Sequence, residues 1–323
     1  MVAGGPFYDL FNGDADGICA LHQLRLHDPR PDAKLITGVK RDNTLLRHLA
    51  GVTGAAITVL DVSLDRNRAY LLPLLDTCSI FYADHHFSGE IPVSTNLAAH
   101  IDPSPEVCTA LIIDRLIGGR FRSWAVVGAF GDNLHDVGER AAREGGLAAE
   151  ETLCLRELGE LMNYNGYGRT VEDLFCHPAV LYEEVRPFAD PLAFARESLL
   201  LPKLREGYRD DMTRAGTVSP AMDTAAGRVY LFPDAPWARR VAGVFSNDRA
   251  RERPEKAHAL LVDNGDTTTM VSVRAPLATK QGADALCRAF PTGGGRTAAA
   301  GINALPNPMI EEFLKSFQEV FAP

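Results

Sequence analysis

In the segment Phe7-Tyr-Asp-Leu-Phe-Asn-Gly-Asp-Ala-Asp-Gly17, an apolar run is followed by two aspartates and a glycine, and this order indicates the class of fold. The run Phe7–Leu10 predicts a strand, and the stretch Gly17–His27 has apolar residues at helical spacing. A strand that leads through acidic residues into a helix is typical of α/β proteins. In such proteins, ligand sites lie beyond the carboxyl ends of parallel strands.

The alternation of strand and helix continues through the first third of the chain. Runs rich in β-branched residues predict strands, and the stretches between them have helical spacing. The predicted elements are strands at Lys34–Val39, Ala55–Leu60 and Ser79–Ala83, and helices at Asn43–Leu49 and Arg68–Leu75. Because such alternation implies crossover connections, we predict a parallel sheet in the N-terminal part.

The later part of the chain has a different pattern. Residues 110–163 are predicted to be mostly helical, and proline-rich residues 181–202 are predicted to bridge two domains. Three strand-like runs follow, at Arg228–Phe232, Ala257–Val262 and Thr268–Val273. We therefore predict an α/β protein with a domain at 1–190, a linker at 191–211 and a smaller α/β domain at 212–323.

Composition narrows the function classes. The 323 residues carry a formal net charge of −9. The excess of acidic residues lies in the first two thirds of the chain. This negative charge argues against non-specific binding of long duplex nucleic acid. The six cysteines are scattered without a C-x-x-C pair, which is typical of reduced thiols in a cytosolic protein. The start of the chain is unlike a signal peptide and no run is apolar enough to span a bilayer, so we expect a cytoplasmic protein with no membrane partner.

Four clusters of acidic or histidine residues stand at the ends of predicted elements. They are Asp14-Ala-Asp16-Gly17, Asp61, Asp84-His85-His86 and Gly131-Asp132-Asn133. Three of them follow a predicted parallel strand, so we expect them to converge on one edge of the sheet. Packed carboxylates need a counter-cation, and a mixed set of aspartate oxygens and histidine nitrogens suits a divalent ion such as Mn²⁺. Two such ions could activate a water molecule and clamp a phosphoryl oxygen.

A glycine-rich segment, Pro291-Thr-Gly-Gly-Gly-Arg296, is followed by small residues as far as Gly301. We predict a glycine turn that runs into a small-residue helix, whose N–H groups would favour an anion. Arg296 in this segment and Arg274 at the end of the preceding predicted strand could both contact a phosphate.

In this order, the motifs resemble those of the DHH phosphoesterase family, in the two-domain form with a DHH-associated C-terminal domain. The resemblance covers nearly the whole chain, and the relatives include nanoRNase/pAp phosphatases, exopolyphosphatase-like proteins and RecJ-like proteins. It implies an α/β fold with the active site in the cleft between the domains. It also implies Mn²⁺-dependent hydrolysis of phosphoester or phosphoanhydride bonds, with one or two ions and with Mg²⁺ as an alternative.

Site residues follow from the resemblance, motif by motif. Asp16, Asp61, His85 and Asp132 resemble the ligands of one metal, and Asp14 with the bridging Asp61 resembles the ligands of a second. The implied catalytic residues are His86, which would face the substrate phosphate, Asp84, which would orient a histidine, and Asp61. The implied substrate-binding residues are Arg274, Gly293, Gly294, Gly295 and Arg296.

Three positions depart from the family pattern. Leu10 stands where many relatives have histidine, and Asn12 stands where RecJ-like exonucleases have aspartate, which argues against full occupancy by two metals. Arg296 stands where relatives usually have histidine after the glycines. Arginine keeps its positive charge at every relevant pH, which is compatible with phosphate binding.

We expect a hydrolase for small or terminal phosphoesters: short single-stranded oligonucleotides, nucleotide phosphates or polyphosphate. One alternative is a RecJ-like single-strand exonuclease, which would need a basic groove with aromatic stacking platforms. An alternative of another class is a catalytically weak nucleotide-binding regulatory module. The sequence leaves the exact substrate, the number of metals and the formation of a homodimer open.

Overall fold

A computed structural model describes residues 5–322 of the chain. The chain divides into two compact units, residues 1–206 and residues 207–323. The division falls within the predicted linker, 191–211, most of which is helical. The predicted domain limits stay a prediction.

The first unit is built on a sheet of five strands. They are β1 (Phe7–Phe11), β2 (Lys34–Ile36), β3 (Ala56–Leu60), β4 (Ser79–Asp84) and β5 (Leu97–Ile101). The order is β2-β1-β3-β4-β5, and every neighbouring pair is parallel, which confirms the predicted parallel sheet. The sequence pattern does not predict β5. This strand lies at the edge of the sheet and none of its residues is fully buried, so it lacks the apolar run that is typical of a buried strand.

Nine helices of the described chain follow the strands of this unit. They are α1 (Ala15–His27), α2 (Leu64–Leu74), α3 (Thr109–Leu116), α4 (Arg122–Gly131), α5 (His135–Glu144), α6 (Ala149–Gly166), α7 (Pro178–Val185), α8 (Pro191–Glu197) and α9 (Leu201–Gly216), the last of which continues into the second unit. α1 is buried along most of its length because it packs against α3, α4 and α6 as well as the sheet. The predicted helix at Asn43–Leu49 is only a 3₁₀ turn at Leu45–Leu49.

The two faces of the first sheet are packed differently, because alternate residues of a strand point to opposite faces. On one face, Leu10 and Tyr82 belong to a hydrophobic core that includes residues of α2. On the other face, the guanidinium of Arg25 in α1 donates to the carboxylate of Asp9 at 2.5 and 2.7 Å and to the hydroxyl of Thr58 at 2.6 Å. This buried ion pair ties the last turn of α1 to the middle of β1 and to β3.

The second unit holds a mixed sheet of six strands. They are β6 (Met222–Asp223), β7 (Gly227–Phe232), β8 (Ala257–Asp263), β9 (Thr268–Arg274), β10 (Gly293–Gly295) and β11 (Ala299–Pro306), in the order β10-β11-β9-β8-β7-β6. β7 and β8 are parallel, and the other neighbouring pairs are antiparallel. Three helices complete the unit: α10 (Pro236–Glu252), α11 (Ala283–Arg288) and α12 (Ile310–Val320). Every helix within residues 5–322 is too short or too polar to cross a membrane.

The glycine segment forms a β-hairpin, so the predicted small-residue helix is wrong. β10 pairs with β11, and the backbone N–H of Arg296 donates to the carbonyl of Ala299 at 2.9 Å. The small residues 299–301 then pair with β9. A Cβ at Gly301 would lie 2.8 Å from the carbonyl oxygen of Val271, so the lack of a side chain there serves close approach of two strands. Pairing with β9 overrides the helical propensity of the alanines.

Candidate active site

Strands β1, β3 and β4 end at one edge of the first sheet, and predicted site residues follow each of them. Asp14 follows β1 and caps α1, accepting a hydrogen bond from the backbone N–H of Gly17 at 3.0 Å. Asp61 follows β3 with a positive φ of 58°. Its N–H donates to the carbonyl of Ala83 in β4 at 3.0 Å, which holds this strained residue in place. Asp84 ends β4 and leads directly into the two histidines.

His85 lies at the centre of three carboxylates. Its Nε2 is 3.4 Å from Oδ1 of Asp61, 3.7 Å from Oδ2 of Asp132 and 3.9 Å from Oδ2 of Asp16. Asp132 comes from the end of α4 rather than from a strand. The structure therefore brings together the four side chains whose motifs resemble one metal site.

The three distances from Nε2 of His85 are compatible with donor atoms that share a divalent ion, and they are long for hydrogen bonds. The three separations, 3.4 to 3.9 Å, exceed the usual length of an N–H···O bond. Two donor atoms that are each about 2.1–2.2 Å from one ion lie roughly 3–4 Å apart, depending on the angle between them. Three carboxylates and one imidazole form a donor set that suits Mn²⁺.

The charges of the cluster also favour a cation. Burial, followed by the carboxylates of Asp16 and Asp14, raises the pKa of Asp61 well above its usual value. The pKa of Asp16 is also raised, mainly by burial. The carboxylates of Asp132 and Asp14 raise this pKa further, whereas His85 lowers it. Ionised carboxylates are therefore unfavourable here unless a positive charge compensates them.

The start of α3 fixes the orientation of Asp16. The backbone N–H groups of Thr109 and Ala110 donate to its two oxygens, each at 2.7 Å. The hydroxyl of Thr109 also donates to Oδ1 of Asp61 at 3.2 Å. A carboxylate at the first turn of a helix is further stabilised by the helix dipole. The two aspartates are thus held by a helix that the sequence motifs do not mark.

His86 forms a pair with Asp84. Its Nδ1 donates to Oδ1 of Asp84 at 2.6 Å, and the buried carboxylate fixes the ring. Burial lowers the pKa of His86, but the hydrogen bond and charge of Asp84 outweigh it and raise that pKa above the usual value. Donor atoms of Asp61, His85 and His86 all lie within 4.8 Å of one another. The side chain of His86 is 44% exposed, so its Nε2 is available to a ligand.

Lys40 is a cation inside the acidic cluster that the sequence motifs do not reveal. Its Nζ lies 2.7 Å from Oδ2 of Asp14, 3.3 Å from Oδ1 of Asp132 and 3.0 Å from Oδ1 of Asn163. Burial alone would lower the pKa of the Lys40 ammonium. The nearby carboxylate of Asp14 outweighs this effect, so the pKa lies well above its usual value. Burial alone would raise the pKa of Asp14, but the Lys40 ammonium has the larger combined effect, so the pKa of Asp14 is lower than its usual value.

One signal in the sequence could have found Lys40. It lies in the loop after β2, whose carboxyl end is at the same edge of the parallel sheet as the ends of β1, β3 and β4. A charged residue shortly after any of these strands shares that location. Asn163 carries no comparable signal, because it lies near the end of α6, far along the chain.

The predicted phosphate-binding residues of the second unit lie on the hairpin and on β9. Gly293 packs against the backbone of Cys287, and a Cβ there would lie 1.7 Å from that carbonyl oxygen. Gly295 has a φ of 138°, whereas a Cβ at Gly294 would meet nothing within 4 Å. Of the three, only Gly294 combines open space with a common backbone conformation, so a ligand can approach its backbone.

The two arginines of that unit differ in their surroundings. The Nε of Arg274 donates to Oδ1 of Asn247 at 2.7 Å, and its Nη1 donates to the hydroxyl of Ser272 at 3.0 Å. The side chain of Arg296, in the hairpin turn, is exposed. Arg274 is thus held within the sheet, while Arg296 can follow a ligand. Their role in phosphate binding stays a prediction.

Comparison with known proteins places the fold. No family model matches the sequence, and no curated protein matches it. Among solved structures, a DHH-domain protein described as a member of the s1p family of ribosomal proteins has a TM-score of 0.63 at 14% identity, over 99% of this chain and 88% of that one. Exonuclease RecJ bound to manganese has a TM-score of 0.60 at 16% identity, over 99% and 90% of the two chains.

The chain has the fold of the DHH-domain proteins. A third structure with this fold is a pGpG-specific phosphodiesterase, PggH from Vibrio cholerae, with a TM-score of 0.51 at 12% identity, over 97% of this chain and 98% of that one. The predicted DHH resemblance and the predicted α/β class are therefore confirmed. Because these identities are low, the likeness concerns the fold, and the activity has to be argued from the site.

Proposed function

We propose that this DHH-fold chain is a metal-dependent phosphoesterase that hydrolyses small or terminal phosphoesters. The proposed substrates are short single-stranded oligonucleotides, nucleotide phosphates or polyphosphate. One observation carries the proposal: Nε2 of His85 lies within 3.9 Å of carboxylate oxygens of Asp16, Asp61 and Asp132. In support, one similar structure is an exonuclease bound to manganese and another is a phosphodiesterase.

The four residues of this cluster would hold the divalent ion. The mixed donor set of Asp16, Asp61, His85 and Asp132 favours Mn²⁺, with Mg²⁺ as an alternative. When bound, the ion would polarise a phosphoryl oxygen and lower the pKa of a water molecule. The protein contributes rigidity, because backbone N–H groups hold Asp16 and a strained backbone holds Asp61.

His86 and Asp84 would act on the substrate side of the cluster. Asp84 keeps a proton on Nδ1 of His86, which leaves Nε2 to contact a phosphate oxygen. Because the pKa of His86 is raised, the ring favours the charged form that an anion attracts. In this proposal His86 is a catalytic residue, and Asp84 positions it.

Substrate size follows from charge. The net charge of −9 disfavours a long polyanion, while a small phosphoester presents only a few charges for the site to compensate. Arg274, Arg296 and the backbone of Gly293 to Gly295 would bind the outer phosphate oxygens.

A RecJ-like exonuclease is the second candidate, supported by the likeness to the manganese-bound exonuclease. It differs in substrate length rather than in chemistry, because the same donor atoms would serve a terminal nucleotide of a long strand. A regulatory module that binds nucleotides without hydrolysing them is a third candidate.

A substrate panel separates the three. The full chain would be assayed with Mn²⁺ on a dinucleotide, a nucleotide bisphosphate, polyphosphate and single-stranded DNA of about 30 nucleotides, each with and without EDTA. We expect turnover of at least one small substrate that stops on chelation. Preference for the long strand would favour the exonuclease. Binding of nucleotides without any hydrolysis would contradict the proposal and favour the regulatory module.

A further inference from the structure

The ammonium of Lys40 has the contacts of a built-in cation. An ammonium group has three N–H donors, and Nζ of Lys40 has three oxygen neighbours, on Asp14, Asp132 and Asn163, at 2.7 to 3.3 Å. The side chain is only 25% exposed, and two of its neighbours are acidic residues of the cluster. Lys40 therefore compensates negative charge inside the cluster rather than at the protein surface.

The backbone of Lys40 is held from two sides. Its N–H donates to the carbonyl of Gly166 at the end of α6, at 2.8 Å. Its carbonyl accepts from the side-chain amide of Asn12 at 3.2 Å. An aspartate at position 12 could not make the second contact, because an ionised carboxylate has no hydrogen to donate. Asn12 thus holds the lysine in the cluster and removes one carboxylate from it.

Leu10 completes the same picture. Its side chain is fully buried in the hydrophobic core on one face of the first sheet. Leucine has no atom that can bind a metal, so position 10 contributes no donor atom to the cluster. Two of the three positions that depart from the family pattern, Leu10 and Asn12, therefore belong to the core and to the support of Lys40.

Asp132 divides the cluster into two halves. Its Oδ1 contacts Lys40 at 3.3 Å, and its Oδ2 lies 3.7 Å from Nε2 of His85. On the His85 side, the other carboxylates near its Nε2 are those of Asp16 and Asp61. On the Lys40 side, the remaining carboxylate is Asp14, which already accepts from the ammonium and from the start of α1.

We propose that the ammonium of Lys40 takes the place of a second divalent ion, so that the chain binds a single ion among Asp16, Asp61, His85 and Asp132. Asp14 is then the partner of Lys40 and not a metal ligand. The inference rests on the proposed function only in that both place a divalent ion at this edge of the sheet. Beyond the proposed function, the inference states that one ion binds and that Lys40 is the reason why a second ion does not.

The test is the number of Mn²⁺ ions bound by the full chain. Free Mn²⁺ would be titrated by electron paramagnetic resonance and checked by elemental analysis after buffer exchange. The native chain is expected to bind one ion. Lys40→Met removes the ammonium at similar side-chain length and is expected to bind two, and Lys40→Arg keeps the charge and is expected to bind one. Lys203→Met, on an exposed lysine of α9, is the matched control and is expected to leave the number at one.

Other numbers of bound ions overturn the inference. Two ions in the native chain would do so even if Lys40→Met failed to fold. One ion in both the native chain and a folded Lys40→Met would show that the ammonium keeps no second ion out. A chain that binds one ion without hydrolysing any phosphoester would contradict the proposed function and leave the inference standing. Hydrolysis by a native chain with two bound ions would support the proposed function and contradict the inference.

Discussion

The acidic edge of the first sheet and the glycine hairpin of the second sheet are built in opposite ways. At the acidic edge, Asp14, Asp16 and Asp61 are almost completely buried and are held by backbone N–H groups, by Lys40 and by the strands themselves. In the hairpin, Arg296 is exposed, and β10 is the last strand of its sheet. One region is organised before any ligand arrives, while the other can adapt to a ligand. The difference predicts larger effects of substitution at the acidic edge.

The largest effect is expected for Asp61→Asn. Its carboxylate lies at the centre of the proposed metal site, so the loss of several kcal/mol of stabilisation should lower kcat by about a thousandfold. Steady-state assays with Mn²⁺ would measure it. Asp76→Asn, the same change at an exposed position beyond α2, is the control and should have the native rate. A rate for Asp61→Asn within tenfold of the native rate would contradict the metal assignment.

His86→Ala separates chemistry from metal binding at the same edge. We expect kcat to fall by about a hundredfold, as for loss of a group that contacts the reacting phosphate, with the affinity for Mn²⁺ unchanged. Asp84→Asn, which weakens the hold on the ring, should have a smaller effect in the same direction. An unchanged rate in His86→Ala would remove the residue from the mechanism. A loss of Mn²⁺ affinity would instead make it a ligand.

Arg296→Ala tests the adaptable region. Removal of charge-assisted hydrogen bonds worth about 1.5–3 kcal/mol should raise KM by roughly ten- to a hundredfold, with little change in kcat. Arg251→Ala, an exposed arginine of α10, is the control. If Arg296→Ala binds substrate as well as the native chain, the hairpin has no part in phosphate binding.

Burial in the first unit also predicts a dependence of stability on pH. Burial lowers the pKa of His22 to about 4, although its hydrogen bond to the carbonyl of Phe188 acts in the opposite direction. The unfolded chain, with an ordinary histidine pKa, then binds more protons between about pH 6.5 and 4, so stability falls as the pH falls through that window. This histidine should contribute a loss of about 2 kcal/mol between pH 7 and pH 5.

Urea unfolding at the two pH values would measure this loss. His22→Gln should unfold with a weaker dependence on pH, whereas His27→Gln, on the exposed face of the same helix, should keep the native dependence. Equal slopes for the native chain and His22→Gln would show that His22 is not held neutral.

The smallest effect is expected within the hairpin. Gly295 has a φ of 138°, and a Cβ there would lie 2.5 Å from Cα of Ala300. Gly295→Ala should therefore lower the free energy of unfolding by about 1–2 kcal/mol. Gly294→Ala meets open space and should change it by less than about 0.5 kcal/mol. Thermal unfolding of both variants would decide. Equal losses would mean that the hairpin is more tightly packed at Gly294 than its surroundings indicate.

The same contrast explains what could be predicted from the sequence. The convergence of Asp14, Asp61 and His85 was predictable because parallel strands all end at one edge, whatever their separation along the chain. No such rule exists for an antiparallel hairpin, where Ala299 and Ala300 favour a helix locally and are strands only because β9 pairs with them. Local propensity contains no information about that partner.

Lys40 and Asn163 show a second limit of prediction. No motif marks either residue, and the contact between them joins the loop after β2 to the end of α6. Such a contact depends on how the helices pack on the sheet, which neither periodicity nor strand order specifies. The carboxylates and the position of Lys40 after β2 could therefore be assigned to the sheet edge from the sequence, but the contact between Lys40 and Asn163 could not be predicted.

Asp132 lies at the end of α4 and Asn163 lies in α6, and both helices come late in the first unit. Their position along the chain affects the order in which the cluster forms during folding. The strands of the first sheet and the loops that carry His85 and Lys40 are complete once the first hundred or so residues have emerged from the ribosome. Asp132 and Asn163 are made later and reach the cluster only when α4 and α6 have docked. A nascent or partly unfolded chain with the sheet alone therefore has neither the full set of proposed metal ligands nor the full support of Lys40. On this proposal, hydrolysis requires that the helices which carry Asp132 and Asn163 are already in place.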